Sequence, residues 1–145
     1  MIDGYTISSS PEAMDLSLIH SYISRSYWAK GIGQETLAVA IANSLSFGVF
    51  LHSGEQVGFA RMITDRATFA YMADVFILEE HRGKGLSKWL LQVIMAHPQL
   101  QGLRRLLLAT RDAHGLYVQF GFKALAKPET FMEVLHSDIY SKNLL

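Results

Sequence analysis

Apolar positions change their spacing several times along this chain, and each change marks an element. Leu16, Ile19, Ile23 and Tyr27 recur at helical intervals to about Ser26. Ser9 or Ser10, followed by Pro11 and Glu12, supplies a start for that helix, because a hydroxyl caps open N–H groups and proline fits a first turn. After a break at Gly31 and Gly33, the positions Leu37, Ile41 and Leu45 predict a second helix over Gln34 to Ser44. The rhythm then turns to that of strands. SFGVFLH, EQVGFARMIT and FAYMADVFIL are three β-rich runs separated by turn chemistry at His52 to Gly54 and Asp65 to Ala67, which reads as an antiparallel meander. Tyr5 to Ser8 is short enough for a first strand. From Leu86 the apolar residues Trp89, Leu90, Val93 and Ile94 return to helical spacing until Pro98 stops them.

Leu103 to Ala109 then reads as a buried strand and Ala113 to Phe120 as a short helix closed by Gly121. Two final strands are expected at Phe122 to Leu125 and Phe131 to Leu135. Strand, helix and strand from Tyr71 to Ala109 predict a parallel crossover. The expected fold is mixed α/β, one domain over residues 1 to 145, with a central mixed sheet of six to seven strands flanked by helices.

Composition narrows the function classes. Half of the 145 residues are apolar and 18% are charged, as in a chain that buries a core without staples. Thirteen basic residues balance thirteen acidic ones, which argues against a nucleic-acid partner. The chain has no cysteine, so disulfides, thiolate metal sites and thiol nucleophiles are out. Six histidines include no pair three to five apart, and no metal site is expected. Neither a signal peptide nor a bilayer-spanning apolar run is visible, so the expectation is a cytoplasmic protein with no membrane partner.

One stretch asks for an explanation. In EEHRGKGLSKWLLQVI, Gly83 and Gly85 stand between an apolar strand and an amphipathic helix, where glycine costs folding free energy. A helix N-terminus presents unpaired N–H groups and partial positive charge, and positions without side chains let an anion approach them. Arg82 and Lys84 add charge. The letters match neither a P-loop, which needs GxxxxGK before Ser or Thr, nor a dinucleotide fingerprint, which needs a third small residue where Lys88 stands.

Arg82-x-x-Gly85-x-Ser87 does resemble the [Gln/Arg]-x-x-Gly-x-[Gly/Ala] motif of the GNAT superfamily of acyl-CoA-dependent N-acetyltransferases, with Ser87 in place of the usual last Gly or Ala. AHGLYVQFGF, residues 113 to 122, is similar to that family's late A-x-x-L-Y-x-x-x-G-F segment. The resemblance implies that Arg82, Gly83, Lys84, Gly85, Leu86 and Ser87 wrap the pyrophosphate of acetyl-CoA. It also implies a bulge in the fourth strand, with backbone groups of Phe76, Ile77 and Leu78 along the pantetheine arm, and Tyr117 as general acid toward the departing thiolate.

The base is left open among Asp74, Asp112 and a water. Asp74 is a lone acid in an apolar strand, on one face with Met72 and Phe76 if alternation holds. Asp112 competes with a role as cap of the helix at Ala113, and His114 is a further proton relay candidate. Arg25, Tyr27 and Trp28, near Tyr22 and Lys30, form an aromatic and basic cluster suited to a small amine carrying a carboxylate or a ring. The expected reaction is direct acetyl transfer to a small-molecule amine in a ternary complex. A non-catalytic acyl-CoA-binding module and a protein-lysine acetyltransferase are the alternatives. Exposed strand edges near the C-terminus permit a homodimer.

Overall fold

The β-rich runs pair in the order in which they occur. In the computed structural model, which describes residues 1–142, β1 (Tyr5–Ser8), β2 (Leu45–Leu51), β3 (Gln56–Thr64) and β4 (Phe69–Ile77) form antiparallel neighbours. β5 (Arg105–Leu108) adds parallel to β4, as the crossover through α3 (Leu86–Ala96) requires. Asp65 secures the β3–β4 turn. Its carboxylate accepts from the Thr68 hydroxyl and from the amides of Thr68, Ala67 and Phe69, which together hold its pKa far below the usual carboxylate range.

Each face of the sheet carries its own core. α1 (Leu16–Ile23) and α2 (Gln34–Ala42) send Ile19, Ile23 and Leu37 against Phe59 and Phe76. On the opposite face α3 buries Leu86, Leu90, Leu91 and Ile94 among residues such as Phe47 and Met62. Each such side chain contributes about 2 kcal/mol by leaving water. β3 gives Phe59 to one core and Val57, Ala60 and Met62 to the other, whereas β2 gives Leu45, Phe47 and Val49 to the core under α3.

Four expectations change. Pro11–Ala13 is a separate 3-10 turn, and α1 begins at Leu16, because the Asp15 carboxylate accepts from the Leu18 amide while Gln56 accepts from Asp15 N–H; no Ser10 side-chain cap forms. α1 also stops at Ile23, where the Ser26 hydroxyl donates to the Ile23 carbonyl and accepts from the Ala29 amide, coiling the chain before Tyr27. The sheet has five strands among the described residues, and neither Phe122 to Leu125 nor Phe131 to Leu135 is one. Pro128–Thr130 forms a 3-10 turn, no described strand pairs with the outer edge of β5, and β5 stays half-exposed where a buried strand was expected. α4 (His114–Val118) and α5 (Ile139–Lys142) complete the described elements.

Candidate active site

The site grows from an irregularity in β4. Arg61 faces Ala73 and Phe59 faces Phe76, so Asp74 and Val75 together oppose Ala60, a bulge with one extra residue. Asp74 takes φ +57° there, in the left-handed region. The bulge reverses the side-chain parity: Met72 belongs to the core under α3, whereas Phe76 belongs to the core under α1 and α2. The three residues therefore do not share a face, and simple alternation fails at this strand. β4 and β5 pair from Phe69 to Met72 and no further, so past the bulge the two strands diverge. Leu78 N–H donates back to Val57, and its carbonyl accepts from His81, so Leu78 has no free backbone group. By the alternation of an antiparallel ladder, the Ile77 N–H and carbonyl then turn toward the opened edge.

Immediately beyond lies the glycine loop. Gly83 and Gly85 adopt φ +78° and +83°, a conformation that side chains resist, and Gly85 is the residue before α3. A Cβ on Gly83 would meet open space, and one on Gly85 would meet only Ile2 at 3.6 Å. The glycines thus serve the backbone turn and leave the approach clear. Among the described residues no acceptor takes the amides of Gly83 to Lys88; the first donation back into this turn is from Trp89 to Gly85. Arg82 is less free than its sequence position suggests. Its Nε donates to the Ile77 carbonyl at 2.9 Å and an Nη to the Tyr22 hydroxyl at 2.9 Å, so it braces the loop against β4. Lys84 is exposed, Ser87 is half-buried on the first turn, and Leu86 gives its side chain to the core, leaving its amide.

On the other side of the divergence is a cleft of about 620 Å³ lined by Tyr27, Trp28, Asp74, Arg111, Asp112 and Tyr117 among others. Asp74 is buried and fully engaged: one carboxylate oxygen accepts from Trp28 Nε1 at 2.8 Å, the other from Arg61 Nε at 2.8 Å. Arg61 also donates to the Ser44 hydroxyl. Tyr117 is buried on α4, edge-on to Phe122, and desolvation, with a smaller contribution from Tyr27, pushes its phenol pKa up. Asp112 is exposed and does not cap α4, since the Thr110 hydroxyl accepts from the Ala113 amide and the residue before the helix is Ala113. Arg25 is not brought to the cleft; its Nε donates to the Ser21 carbonyl on its own helix. His114 lies on an adjoining groove.

Two cleft residues escaped the sequence reading. Arg61 was detectable as the one charge in the apolar run of β3, across the ladder from the lone acid of β4. Arg111, whose guanidinium lies 3.8 Å over the Tyr27 ring, gave no local signal. Among the described residues no group of three or more His, Cys, Asp or Glu is placed to hold a metal.

The sequence and the fold as a whole have counterparts in known proteins. The profile of the acetyltransferase (GNAT) domain matches residues 43–124, more than half of the chain. The chain belongs to the GNAT acetyltransferase family. It is 33% identical over 135 positions to a Gibberella zeae protein named as a candidate acetyltransferase, covering 78% of this chain and 75% of that one. A GNAT-family crystal structure from Xanthomonas campestris pv. campestris superposes with a TM-score of 0.93 at 48% identity, covering 97% of this chain and 99% of that one. A Deinococcus radiodurans structure, at 16% identity and TM-score 0.74 over 95% of this chain and 92% of its own, shares the fold.

Proposed function

We propose that this GNAT protein transfers an acetyl group from acetyl-CoA to the amine of a small molecule by direct attack within a ternary complex. The observation that carries the reading is the run of unpaired amides from Gly83 to Lys88, set at the end of the opened edge of β4. Amides of this kind suit a diphosphate, with Lys84 adding charge and Ser87 a hydroxyl. The Ile77 N–H, turned to the opened edge, suits the arm that leads inward, whereas by the same alternation the Phe76 backbone groups face β3. Acetyl-CoA supplies the acetyl thioester; the chain supplies position and protons.

Tyr117 is the proposed acid. A phenol whose pKa is raised by burial is protonated at neutral pH, and its proton is available to the sulfur as the carbon–sulfur bond breaks. Asp74 is proposed as a positioning residue, because its two oxygens hold Trp28 and Arg61 and so fix the wall of the acceptor cleft. The proton that leaves the amine then passes to water, with Asp112 an exposed carboxylate on the wall of the cleft. Tyr27, Trp28 and Arg111 line the acceptor side, where rings and one guanidinium favour an amine bearing a carboxylate or an aromatic group.

The test is thiol release from acetyl-CoA with a panel of amino acids, arylamines, polyamines, aminoglycosides and a lysine peptide. Release with one of the small amines, and acetylated product by mass, is expected. Tight coenzyme A binding with no release across the panel would overturn the catalytic reading in favour of a binding module. Release with the peptide alone would move the substrate class to protein lysine.

A further inference from the structure

The cleft beside Tyr117 holds two guanidinium groups in opposite conditions. Arg61 is largely buried and engaged by Asp74 and Ser44. Arg111 is exposed, is in no ion pair among the described residues, and none of its N–H groups has an acceptor there. Its flat face is used instead, with the guanidinium carbon 3.8 Å over the Tyr27 ring. Stacking occupies the face of a guanidinium and leaves the donors at its edge, which form a planar fork matched to a carboxylate.

A long side chain at a cleft wall ordinarily samples many rotamers. Here a chain of contacts running down to the sheet restrains it. Tyr27 stands edge-on to Trp28, with ring centroids 5.0 Å apart at 85°. Trp28 Nε1 donates to one Asp74 oxygen, Arg61 Nε donates to the other, and Arg61 continues to the Ser44 hydroxyl, which donates to the Ala40 carbonyl near the end of α2. A buried carboxylate at φ +57° is a costly feature for a strand. Its position at the root of this chain gives it a use: it fixes the rings on which an open cation rests.

We infer that the acceptor is an α-amino acid whose carboxylate is bound by Arg111, with Trp28 and Asp74 as positioning residues for that guanidinium. The inference rests on the reading of this cleft as the acceptor side of an acetyl transfer. Charge selects the ligand. Arg61 and Asp74 neutralise each other, so of the charged residues lining the cleft Arg111 and Asp112 are left to meet it. A zwitterion matches that remainder, whereas a dianionic phosphate would bring like charge to Asp112, the chain neighbour of Arg111. Tyr27 carries Arg111 on its face and also stands close enough to Tyr117 to act on its phenol. An amine and a carboxylate on one carbon suit two sites that share a ring. Ile32, Ile63 and Tyr71 add apolar surface for the side chain of the amino acid.

Calorimetry on the full chain, with and without coenzyme A, compares phenylalanine, leucine and tryptophan with the carboxamide of each. At least one acid is expected to bind about 10-fold more tightly than its carboxamide, the scale of a charge-assisted hydrogen bond. Arg111→Met, at an exposed position, should bring that ratio to about 1. Trp28→Phe keeps a ring and removes the N–H that reaches Asp74, and it should lower the same ratio about threefold, which a merely structural loss would not do. Acid and carboxamide binding alike in wild type, no binding by any of the acids, or a ratio unchanged in Arg111→Met would overturn the inference. Thiol release with the same ligands and with amines that lack a carboxylate separates it from the transfer reading. Acids that bind, with no release from any amine, would overturn the transfer and uphold the carboxylate site. Release only with amines that lack a carboxylate would overturn the site and uphold the transfer.

Discussion

A phenol taken out of water keeps its proton more tightly, so Tyr117 is protonated at neutral pH, the state that the proposed acid requires. Tyr117→Phe retains the ring and its edge-on contact with Phe122 and removes the hydroxyl alone. Turnover should fall about 100-fold or more, the scale of a lost general acid, while the coenzyme A dissociation constant measured by calorimetry stays the same. A loss of less than about threefold would remove the hydroxyl from the mechanism. The sign of the pH effect follows from the upward shift. Activity that depends on protonated Tyr117 should persist to a pH above the ordinary phenol value of about 10 and decline only beyond it. Stability behaves alike: the contribution from burying the neutral phenol is complete below that ordinary value and is lost as pH rises through the raised one.

The bulge in β4 converts one inserted residue into a cleft wall. It turns Asp74 toward Trp28 and Arg61, and its left-handed φ is one that asparagine tolerates well. Asp74→Asn should therefore keep the bulge and lose the charge partner of Arg61, lowering unfolding free energy in urea by about 3 kcal/mol. Arg61→Met added to Asp74→Asn should recover part of that loss, because no unpaired buried charge remains. A single variant within about 0.5 kcal/mol of wild type would show that the pair contributes little to folding. The same element shows what the sequence could and could not convey. Runs with clear period, such as β2 to β4 and α3, stood within a residue or two of their expected limits. A bulge leaves no trace in composition; the resemblance implied one in the fourth strand without placing it at Asp74 and Val75, so the opposite facing of Met72 and Phe76 was not legible. Tyr117 and the glycine loop were legible through short motifs, whereas Arg111 and the release of Arg25 from the cleft depend on how the chain coils after Ile23. Phe131 to Leu135 has the pattern of a strand, and a pattern alone does not supply a partner to pair with.

At the scale of the whole molecule, anything that binds the folded protein and not the unfolded chain raises stability, and coenzyme A allows the glycine loop to be tested in that way. At a concentration of about 100 times its dissociation constant it should add about 2.7 kcal/mol, visible as a higher thermal midpoint. Gly85→Val lowers the baseline first, by about 1–3 kcal/mol, because a branched side chain is placed at φ +83° beside Ile2. The discriminating quantity is the increment. If the amides from Gly83 to Lys88 grip the diphosphate, the variant should show little gain from coenzyme A at the concentration that saturates wild type, because its side chain crowds the approach and its turn is displaced. If the glycines serve the turn alone, the variant starts lower and gains the full 2.7 kcal/mol or so, and the anion site must lie elsewhere. Baseline and increment separate a folding defect from a binding defect in one titration, which activity measurements on the same variant would leave combined.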